Sequence, residues 1–438
     1  MAEEQRIFAG LDWGNAKVSL ALWDAVAGRP RLHPTPQGRT LVSSDVVFRE
    51  TRKEGRPELD TIFPVPADWK EDGGSWRFHE IKRYLPVYRD AEAAGFALRP
   101  VFDFWRRTLP NKEAHLSVSV PLQYRWEDSG VLCQAARDAG FASCNYVNES
   151  LAAVLACLPH WHKDSVRWNL LESGRSVWVL DCGYFDLNVS LIHVRRNGGL
   201  LDFVLLAGDC LEDLGGYRRA AGPATVANAV QGSVPSLIHT TFDRPWSRGS
   251  DWVPQRQNAN WVIGAGGGDN LGPALKALGV QLDALLGGPA DVFSLVRPEE
   301  AVAAGAAVHA ASQGGCLAYR INRVSRRTVL GLRTRMPNNR HFVEITTLDG
   351  KPPFEFERAF EIPLPIEGEV EVTLAAALPG GDRFTGLHSF LFKPELFSNL
   401  KRPLLIVRGR LPNWAEGTVE VLEAHSGSAL GKGNFQLP

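Results

Sequence analysis

The sequence predicts an α/β protein followed by an all-β domain. Three features support this prediction. Two strand–turn–strand segments, at residues 6–24 and 177–194, each end their first strand in an aspartate. Between them strands alternate with helices, which is the order of an α/β fold. From about residue 314 the long helical patterns stop, and short runs of alternating apolar and polar residues predict a β-sandwich.

The composition is that of a globular protein with more than one domain. The chain has 438 residues, of which 44% are hydrophobic and 22% charged, and this length suffices for two or three domains. A formal net charge of −1 gives no electrostatic reason to expect nucleic acid or an anionic membrane as a partner. No apolar run approaches the roughly 20 residues of a membrane helix, and the acidic N-terminus is unlike a signal peptide. Six scattered cysteines without a CxxC pair are expected to be reduced, which predicts a cytoplasmic protein.

The first half of the α/β region begins with "RIFAGLDWGNAKVSLALWD" at residues 6–24. This segment predicts two strands joined by a tight turn, with Asp12 at the end of the first strand. Residues 25–110 are rich in proline and tryptophan and are predicted to be irregular, with one basic apolar patch, "FHEIKRYL". Residues 114–158 then predict a strand, a helix, a second strand and a second helix, from "AHLSVSVPL" to "ESLAAVLACL".

The second half begins with "VWVLDCGYFDLNVSLIHV", which predicts two strands folded back on each other with Asp181 at the end of the first. Residues 221–260 are predicted to be loop and short helix. "NWVIGAGGGDNLGPALKALG" then predicts a strand, a glycine turn and a helix. "RPEEAVAAGAAVHAA" predicts a helix of small residues, whose proline and two acids favour its N-terminus.

The β-rich tail contains alternating runs such as "HFVEITTL", "EVEVTLAAAL", "LLIVRGRL" and "TVEVLEA". Turn signals separate these runs, for example Asp349-Gly350 and Gly380-Gly381. The tail is therefore predicted to be a β-sandwich of about 120 residues.

Six segments of the chain, in the same order, resemble segments of the DnaK-type heat-shock chaperone family, within the actin-like ATPase superfamily. They are "GLDWGNAKVSLAL", "IKRYL", "LSVSVPLQYRWEDSGVLCQAARDAGFASCNYVNESLAAVLA", "VLDCGYFDLNVSLIHV" with the following "GDCLEDLGG", "VIGAGGGDNLGP" and "RPEEAVAAGAAVHAA". The resemblance covers about residues 6–312 with gaps and implies an actin-like ATPase fold, two lobes of duplicated mixed sheet with helices. It implies a nucleotide-binding domain at residues 1–313 and a β-sandwich at residues 316–438, where the family has its peptide-binding β-domain.

The resemblance implies a site for ATP or ADP with magnesium. Asp12 and Asp181 would hold hydrated magnesium through waters, and Lys82 and Glu149 would position the attacking water and the γ-phosphate. The remaining residues implied to contact the nucleotide are Gly14, Asn15, Gly183, Tyr184, Gly266, Gly267 and Gly268. The residue types suit phosphoryl transfer, which needs carboxylates for the metal, a cation for the phosphate and glycines for close backbone approach.

Each of these residues also has an ordinary structural explanation. Asp12 and Asp181 could be turn acids, and Glu149 could be a charge that stabilises a helix N-terminus. Lys82 lies in a basic run that could be a solvated face, and residues 266–268 could form a turn and nothing more.

The two phosphate loops depart from the family pattern. In the first loop, Asn15 and Ala16 stand where the family has two threonines. In the second, Tyr184 and Phe185 stand where the family has two glycines, and Asn188 replaces an aspartate. The two aromatic side chains must either turn away from the phosphate site or fill it.

Three larger parts of the family are missing or altered. Only 44 residues separate Gly216 from Trp261, so the upper second lobe, at about residues 217–260, is expected to be truncated and to lack most of its grip on adenine. The apolar linker between the domains is replaced by "ASQGGCLAYR", and the helical lid after the β-domain is absent from the sequence. These differences predict weak nucleotide binding and weak or absent hydrolysis.

The sequence therefore predicts a DnaK-like, chaperone-related protein that binds a polypeptide or a dedicated protein partner through its β-domain. Such a protein could be part of a hetero-assembly. The sequence predicts neither nucleic acid nor a membrane as a partner. One alternative is a non-enzymatic pseudo-ATPase scaffold, which Tyr184 and Phe185 favour. The other is a small-molecule kinase of the same superfamily, which the β-rich tail disfavours.

Overall fold

The chain folds into two compact units, seen in a computed structural model. The structure describes residues 6–53, 56–66, 68–70, 74–78, 91–121, 126–197, 199–216, 222–243, 254–293, 297–326, 328–336, 339–348, 353–362, 369–377, 384–397, 403–412 and 416–436. Within these, the α/β unit comprises residues 6–205, 210–236 and 254–325. The β unit comprises residues 206–209, 237–243 and 326–436.

The N-terminal half of the α/β unit contains two sheets. Its described elements are β1 (Ile7–Trp13), β2 (Lys17–Asp24), β3 (Arg29–Leu32), β4 (Val42–Ser43), β5 (Val46–Lys53), β6 (Arg56–Ile62), β7 (Ser75–Phe78), α1 (Ala91–Thr108), β8 (Ala114–Val120), α2 (Trp126–Asp138), β9 (Ser143–Asn148), α3 (Glu149–Lys163) and α4 (Ser165–Leu170). One sheet has the order β3-β2-β1-β8-β9, with β4 beside β2, and the smaller one has the order β6-β5-β7. In the larger sheet β1 is antiparallel to β2 and parallel to β8, which is parallel to β9.

The second half repeats this arrangement. Its described elements are β10 (Arg175–Cys182), β11 (Leu187–Asn197), β12 (Leu200–Leu211), α5 (Pro223–Ile238), β13 (Trp261–Ala265), α6 (Leu271–Leu286), β14 (Asp291–Phe293), α7 (Ala301–Gln313) and β15 (Arg320–Arg326). The sheet order is β14-β13-β10-β11-β12-β15. Strand β10 is antiparallel to β11 and parallel to β13, which is parallel to β14. Strands β10 and β11 thus occupy the places that β1 and β2 occupy in the first sheet.

Residues 25–110, predicted to be irregular, contain strands β3 to β7 and the 18-residue helix α1. This prediction is wrong because proline was taken as a sign of loop. Pro30 and Pro57 lie in β3 and β6, which are edge strands, where a missing N–H need not break a ladder. Trp105 and Phe102 of α1 are buried in the hydrophobic core of the N-terminal half.

Residues 221–260 were predicted to be loop and short helix, but the helix in this segment is longer than predicted. Helix α5 spans 16 residues and begins at Pro223, a favourable first helical residue. A π-helical turn at His239–Asp243 and a 3-10 turn at Arg256–Asn258 follow within the described part of the segment.

Helix α7 packs closely on its neighbours because its residues are small. A side chain at Gly305 would overlap the backbone carbonyl of Ala152 in α3. A side chain at Gly10 in β1 would overlap the backbone of Ala303 and Ala307. The alanine and glycine run thus lets α7 lie against both α3 and the first sheet.

The C-terminal part of the β unit, from residue 328 on, contains two four-stranded sheets. Its described strands are β16 (Thr328–Met336), β17 (Asn339–Leu348), β18 (Phe354–Glu361), β19 (Val370–Ala377), β20 (Phe384–Phe392), β21 (Leu404–Leu411), β22 (Glu416–Glu423) and β23 (Ala429–Gln436). The sheets have the orders β17-β16-β19-β20 and β18-β21-β22-β23, and one cluster of buried apolar residues from both sheets fills the space between them. Among the described residues, no helix is long and apolar enough to cross a bilayer.

The boundary between the units lies later than the predicted break at 314–316. Strand β15 belongs to the second α/β sheet, beside β12, and the β unit resumes at residue 326. Tyr319, just before β15, is buried and packs against the rings of His162 and Trp168. A short alternating run predicts a strand but not the sheet that it joins, which explains the difference.

Candidate functional site

One cavity of about 660 Å³ in the α/β unit brings together the predicted site residues that the structure describes. It is lined by the ends of β1 and β10, the turns that follow them, the start of α3 and the glycine turn after β13. The predicted residues in its wall are Asp12, Gly14, Asn15, Glu149, Asp181, Gly183, Tyr184, Gly266, Gly267 and Gly268. Lys82 lies outside the described residues.

Asp12 and Asp181 occupy equivalent positions in the two repeated hairpins. Asp12 lies opposite Ser19 in the β1–β2 pair, and Asp181 lies opposite Asn188 in the β10–β11 pair. The hydroxyl of Ser119 on β8 donates a hydrogen bond of 2.9 Å to Asp12 Oδ1, which restricts that carboxylate. The two acids thus approach the cavity from the two halves of the unit.

A buried amide lies beside Asp181. Asn188 is 7% exposed and lines the cavity, and its Oδ1 atom has no hydrogen-bond partner among the described residues. A buried acceptor without a donor costs about 1–3 kcal/mol. The position therefore suits a bound water, such as a water in the hydration shell of a metal ion.

Glu149 is the first residue of α3 and also lines the cavity. The preceding residue, Asn148, already caps the helix, because its side-chain oxygen accepts a hydrogen bond of 3.0 Å from Ser150 N. The carboxylate of Glu149 is therefore not needed as the cap, although a negative charge at this end still favours the helix dipole.

The glycines of the 266–268 turn are needed for two different reasons. Gly266 has a φ of 84°, and a side chain there would overlap the carbonyl of Cys182. A side chain at Gly268 would come within 2.5 Å of Cys182 Sγ. At Gly267, by contrast, the nearest described atom outside the two neighbouring residues would be Glu299 Cβ, 3.3 Å from an added Cβ. Gly266 and Gly268 thus serve chain packing, whereas Gly267 presents bare backbone to the cavity.

Tyr184 and Phe185 form part of the cavity wall without closing the cavity. Their rings meet edge to face at 4.6 Å, and Phe185 is buried. Gly215 N donates a hydrogen bond of 2.6 Å to the carbonyl of Phe185, which ties the turn to the neighbouring chain. The remaining volume of about 660 Å³ lies within the range of small-molecule sites, about 300–1,000 Å³.

The cavity contains charged residues that the sequence did not reveal. Arg77 on β7 donates from Nε to Asp45 Oδ2 at 3.1 Å, and Ser43 Oγ donates to the same oxygen at 2.9 Å. The further charged residues in the wall are Lys17, Asp186, Asp269 and Glu299. Asp45 and Arg77 were missed because they lie in the segment predicted to be irregular, and no motif marks them.

The described wall carries seven carboxylates and two cationic side chains. A polyphosphate alone would be repelled by this excess of negative charge, so it would enter with a divalent cation. In the described part of the chain, no three His, Cys, Asp or Glu side chains are placed to hold a metal directly. Magnesium does not need such a cluster, since it usually keeps several waters and binds one or two carboxylates plus substrate phosphates.

No family model matches the chain, and no curated protein matches it. The residues of the cavity are therefore the basis for any functional assignment.

Proposed function

We propose that the protein is a DnaK-like, chaperone-related protein of the cytoplasm with an actin-like ATPase fold. In this proposal the α/β unit binds ATP or ADP with magnesium and hydrolyses ATP weakly or not at all. The observation that best supports it is the single cavity lined by Asp12, Glu149, Asp181 and Gly267, which come from four separate segments.

The repeated strand order of the α/β unit supports the proposed fold. A duplicated sheet places two acid-ended hairpins in matching positions, and a cavity lined by both can bind a metal–phosphate from two sides. Asp12 and Asp181 are the matching acids in this unit.

The residues of the cavity fit hydrated magnesium. Asp12 and Asp181 would hold it through waters, and Asn188 Oδ1 is a buried acceptor for one of these waters. Bound there, the ion would neutralise charge on the phosphates. Glu149 would orient the attacking water, and Gly14, Gly183 and Gly267 would bring backbone close to the phosphates.

The β unit would bind the polypeptide or protein partner. Strands β17, β18, β20 and β23 are the edge strands of its two sheets. Leu391 on the edge strand β20 is exposed and offers an apolar side chain beside the strand's backbone. Such an edge suits binding by strand addition.

A titration of the full chain with ATP and magnesium tests the nucleotide site. We expect a dissociation constant weaker than about 1 μM, because the sequence offers little to grip adenine. Asp181→Asn should weaken binding about tenfold, the effect of losing one charged contact. Asp283→Asn, an exposed change on α6, is the control and should leave binding unchanged.

Absence of heat with ATP and with ADP, at millimolar ligand and in magnesium, would contradict nucleotide binding. That result would favour the second candidate, a pseudo-ATPase scaffold. The specific observation behind this candidate is that the Tyr184 and Phe185 side chains lie in the cavity wall.

A further inference from the structure

Two cysteines lie together in a part of the α/β unit away from the proposed nucleotide site. Cys133 on α2 is 5% exposed and Cys144 on β9 is 7% exposed, and both belong to the same hydrophobic core cluster. They also line one small cavity of about 330 Å³. None of the residues that line this cavity lines the 660 Å³ cavity.

The small cavity reaches the protein surface. Gly130, at one side of it, is exposed, and Tyr146, at another, is 46% exposed. A small oxidant such as hydrogen peroxide can therefore approach the two thiols through this cavity.

The two thiols differ in acidity. The neighbouring Cys144 thiol lowers the pKa of Cys133, and the Arg137 guanidinium acts in the same direction, whereas burial opposes them. The Cys133 thiol, together with burial, raises the pKa of Cys144 well above its ordinary value, and the Cys144 thiol donates to the carbonyl of Asn145 at 3.5 Å. Arg137 lies one helical turn after Cys133 and lines the same cavity. Such a pair has one thiol suited to attack an oxidant and a neighbour placed to react next.

Cys157, a buried cysteine elsewhere in the α/β unit, serves as a comparison for this pair. It is fully buried in α3, where desolvation raises its pKa, and its thiol donates to the carbonyl of Ala153 at 3.5 Å. It lines neither of the two cavities described above. The combination of two neighbouring thiols, a cationic side chain and a route to solvent is thus a property of the Cys133 site.

We propose that Cys133 and Cys144 form a reversible disulfide when the protein meets hydrogen peroxide or another small hydroperoxide. The Cys133 thiolate attacks the terminal peroxide oxygen, the O–O bond breaks, and Cys133 becomes a sulfenic acid while water or an alcohol leaves. The Cys144 sulfur then attacks the Cys133 sulfur, the S–O bond breaks and a second water leaves. Overall, two thiols lose two hydrogens and the hydroperoxide is reduced.

The disulfide would join α2 to β9 within the first half of the α/β unit. Strand β9 leads directly into Glu149, so the cross-link would fix the segment that precedes a residue of the proposed nucleotide site. The oxidation itself does not depend on nucleotide binding.

Mass spectrometry of the full chain tests the proposal. After treatment with limiting hydrogen peroxide, we expect the intact mass to fall by two hydrogens and two of the six thiols to be lost. Digestion without reduction should give one linked pair of peptides, containing Cys133 and Cys144, and dithiothreitol should restore all six thiols.

Variants separate this pair from the other thiols. Cys133→Ser should keep its five remaining thiols at the same peroxide dose. Cys144→Ser should lose one thiol, with Cys133 oxidised to a sulfenic acid and no disulfide formed, whereas Cys157→Ser should still lose two thiols to the disulfide. If a serine variant does not fold, alanine replaces it, and the peptide map of the unsubstituted chain decides by itself. Cross-links between other cysteines, or oxidation of Cys133 to sulfinic acid without any disulfide to Cys144, would overturn the proposal.

Discussion

At the scale of single residues, Glu149 has two explanations: a charge that favours the N-terminus of α3, or a side chain that orients the attacking water. Asn148 caps α3, so Glu149→Ala should leave the fold nearly intact. If Glu149 orients the attacking water, the same change should lower ATP turnover about 100-fold or more, because a contact made in the transition state is lost. Glu172→Ala, which removes an exposed carboxylate outside the cavity, is the control in a steady-state phosphate-release assay. Unchanged turnover in Glu149→Ala would remove Glu149 from the mechanism.

His309 makes a second prediction, about acid stability. It is buried in α7, and desolvation lowers its pKa to about 4 from 6.5. Between pH 6.5 and about 4 the unfolded chain binds the extra proton and the folded chain does not, so stability falls as pH falls through this window. The expected loss from pH 7 to pH 5 is up to about 2 kcal/mol for this one residue.

Urea unfolding followed by tryptophan fluorescence at pH 7 and pH 5 measures this loss. His309→Gln should reduce the difference in unfolding free energy between the two pH values, whereas the exposed change His425→Gln should not. An equal pH dependence in both variants and the unsubstituted chain would contradict the assignment. His193, also buried with a pKa lowered to about 4 by desolvation, adds to the dependence in all three proteins.

Residue identity alone predicted part of the candidate site. Asp12 and Asp181 could be selected because an acid at a strand end next to a short turn is a local pattern. Asp45 and Arg77 could not, because their place in the cavity depends on how a separate three-stranded sheet lies beside the turn of the first hairpin. The glycines at 266 and 268 were recognised, but their packing against Cys182 is a contact between distant segments that no local pattern contains.

At the scale of elements, replacing a helical glycine by alanine should destabilise the protein at Gly305 in α7, which packs closely on α3, and stabilise it at Gly279 in α6. Gly305→Ala places a methyl group on the Ala152 carbonyl and should destabilise the protein by several kcal/mol, on the order of 4 or more. Gly279→Ala, in α6, meets no atom within 4 Å and should stabilise it by about 0.5–1 kcal/mol. Thermal unfolding of the two variants measures both effects. Similar midpoints would show that α7 does not pack as closely as described.

Periodicity predicted elements well where it was regular and poorly where proline interrupted it. The helices beginning at Glu149 and near Ala301 have clear starts and long apolar faces, and both are observed. Strands β3 and β6 were missed because their edge positions tolerate proline, and an edge position is a property of the sheet. Strand β15 was expected to belong to the β-rich tail. Its alternation predicts a strand but does not show which neighbouring strand it pairs with.

At the scale of the whole molecule, the division into an α/β part and a β part could be predicted from a change in period from helical to alternating. The residue at which the chain changes units could not. The segment "CLAYRINRV" has the composition of the tail, yet Tyr319 and β15 belong to the α/β unit. Long-range packing of Tyr319 on His162 and Trp168 decides this, and it involves residues about 150 positions earlier in the chain.

This segment also bears on whether nucleotide controls the β unit. Coupling between two sites requires an element with two arrangements that both sites bias. After α7 ends, the chain buries Tyr319 and then joins a sheet as β15, which fixes it within the α/β unit up to residue 325. It has no run of leucines to exchange between a docked and a free state. We therefore expect partner affinity of the β unit to be the same with ATP, with ADP and without nucleotide.

Amide hydrogen exchange with and without ATP and magnesium tests this expectation before a partner is known. Exchange should slow near Asp12, Asp181 and Gly267, where the nucleotide is proposed to bind, and stay unchanged in strands β16 to β23. Slower or faster exchange in those strands would contradict independence of the two sites. So would a tenfold change in partner affinity on adding ATP, which corresponds to about 1.4 kcal/mol of coupling.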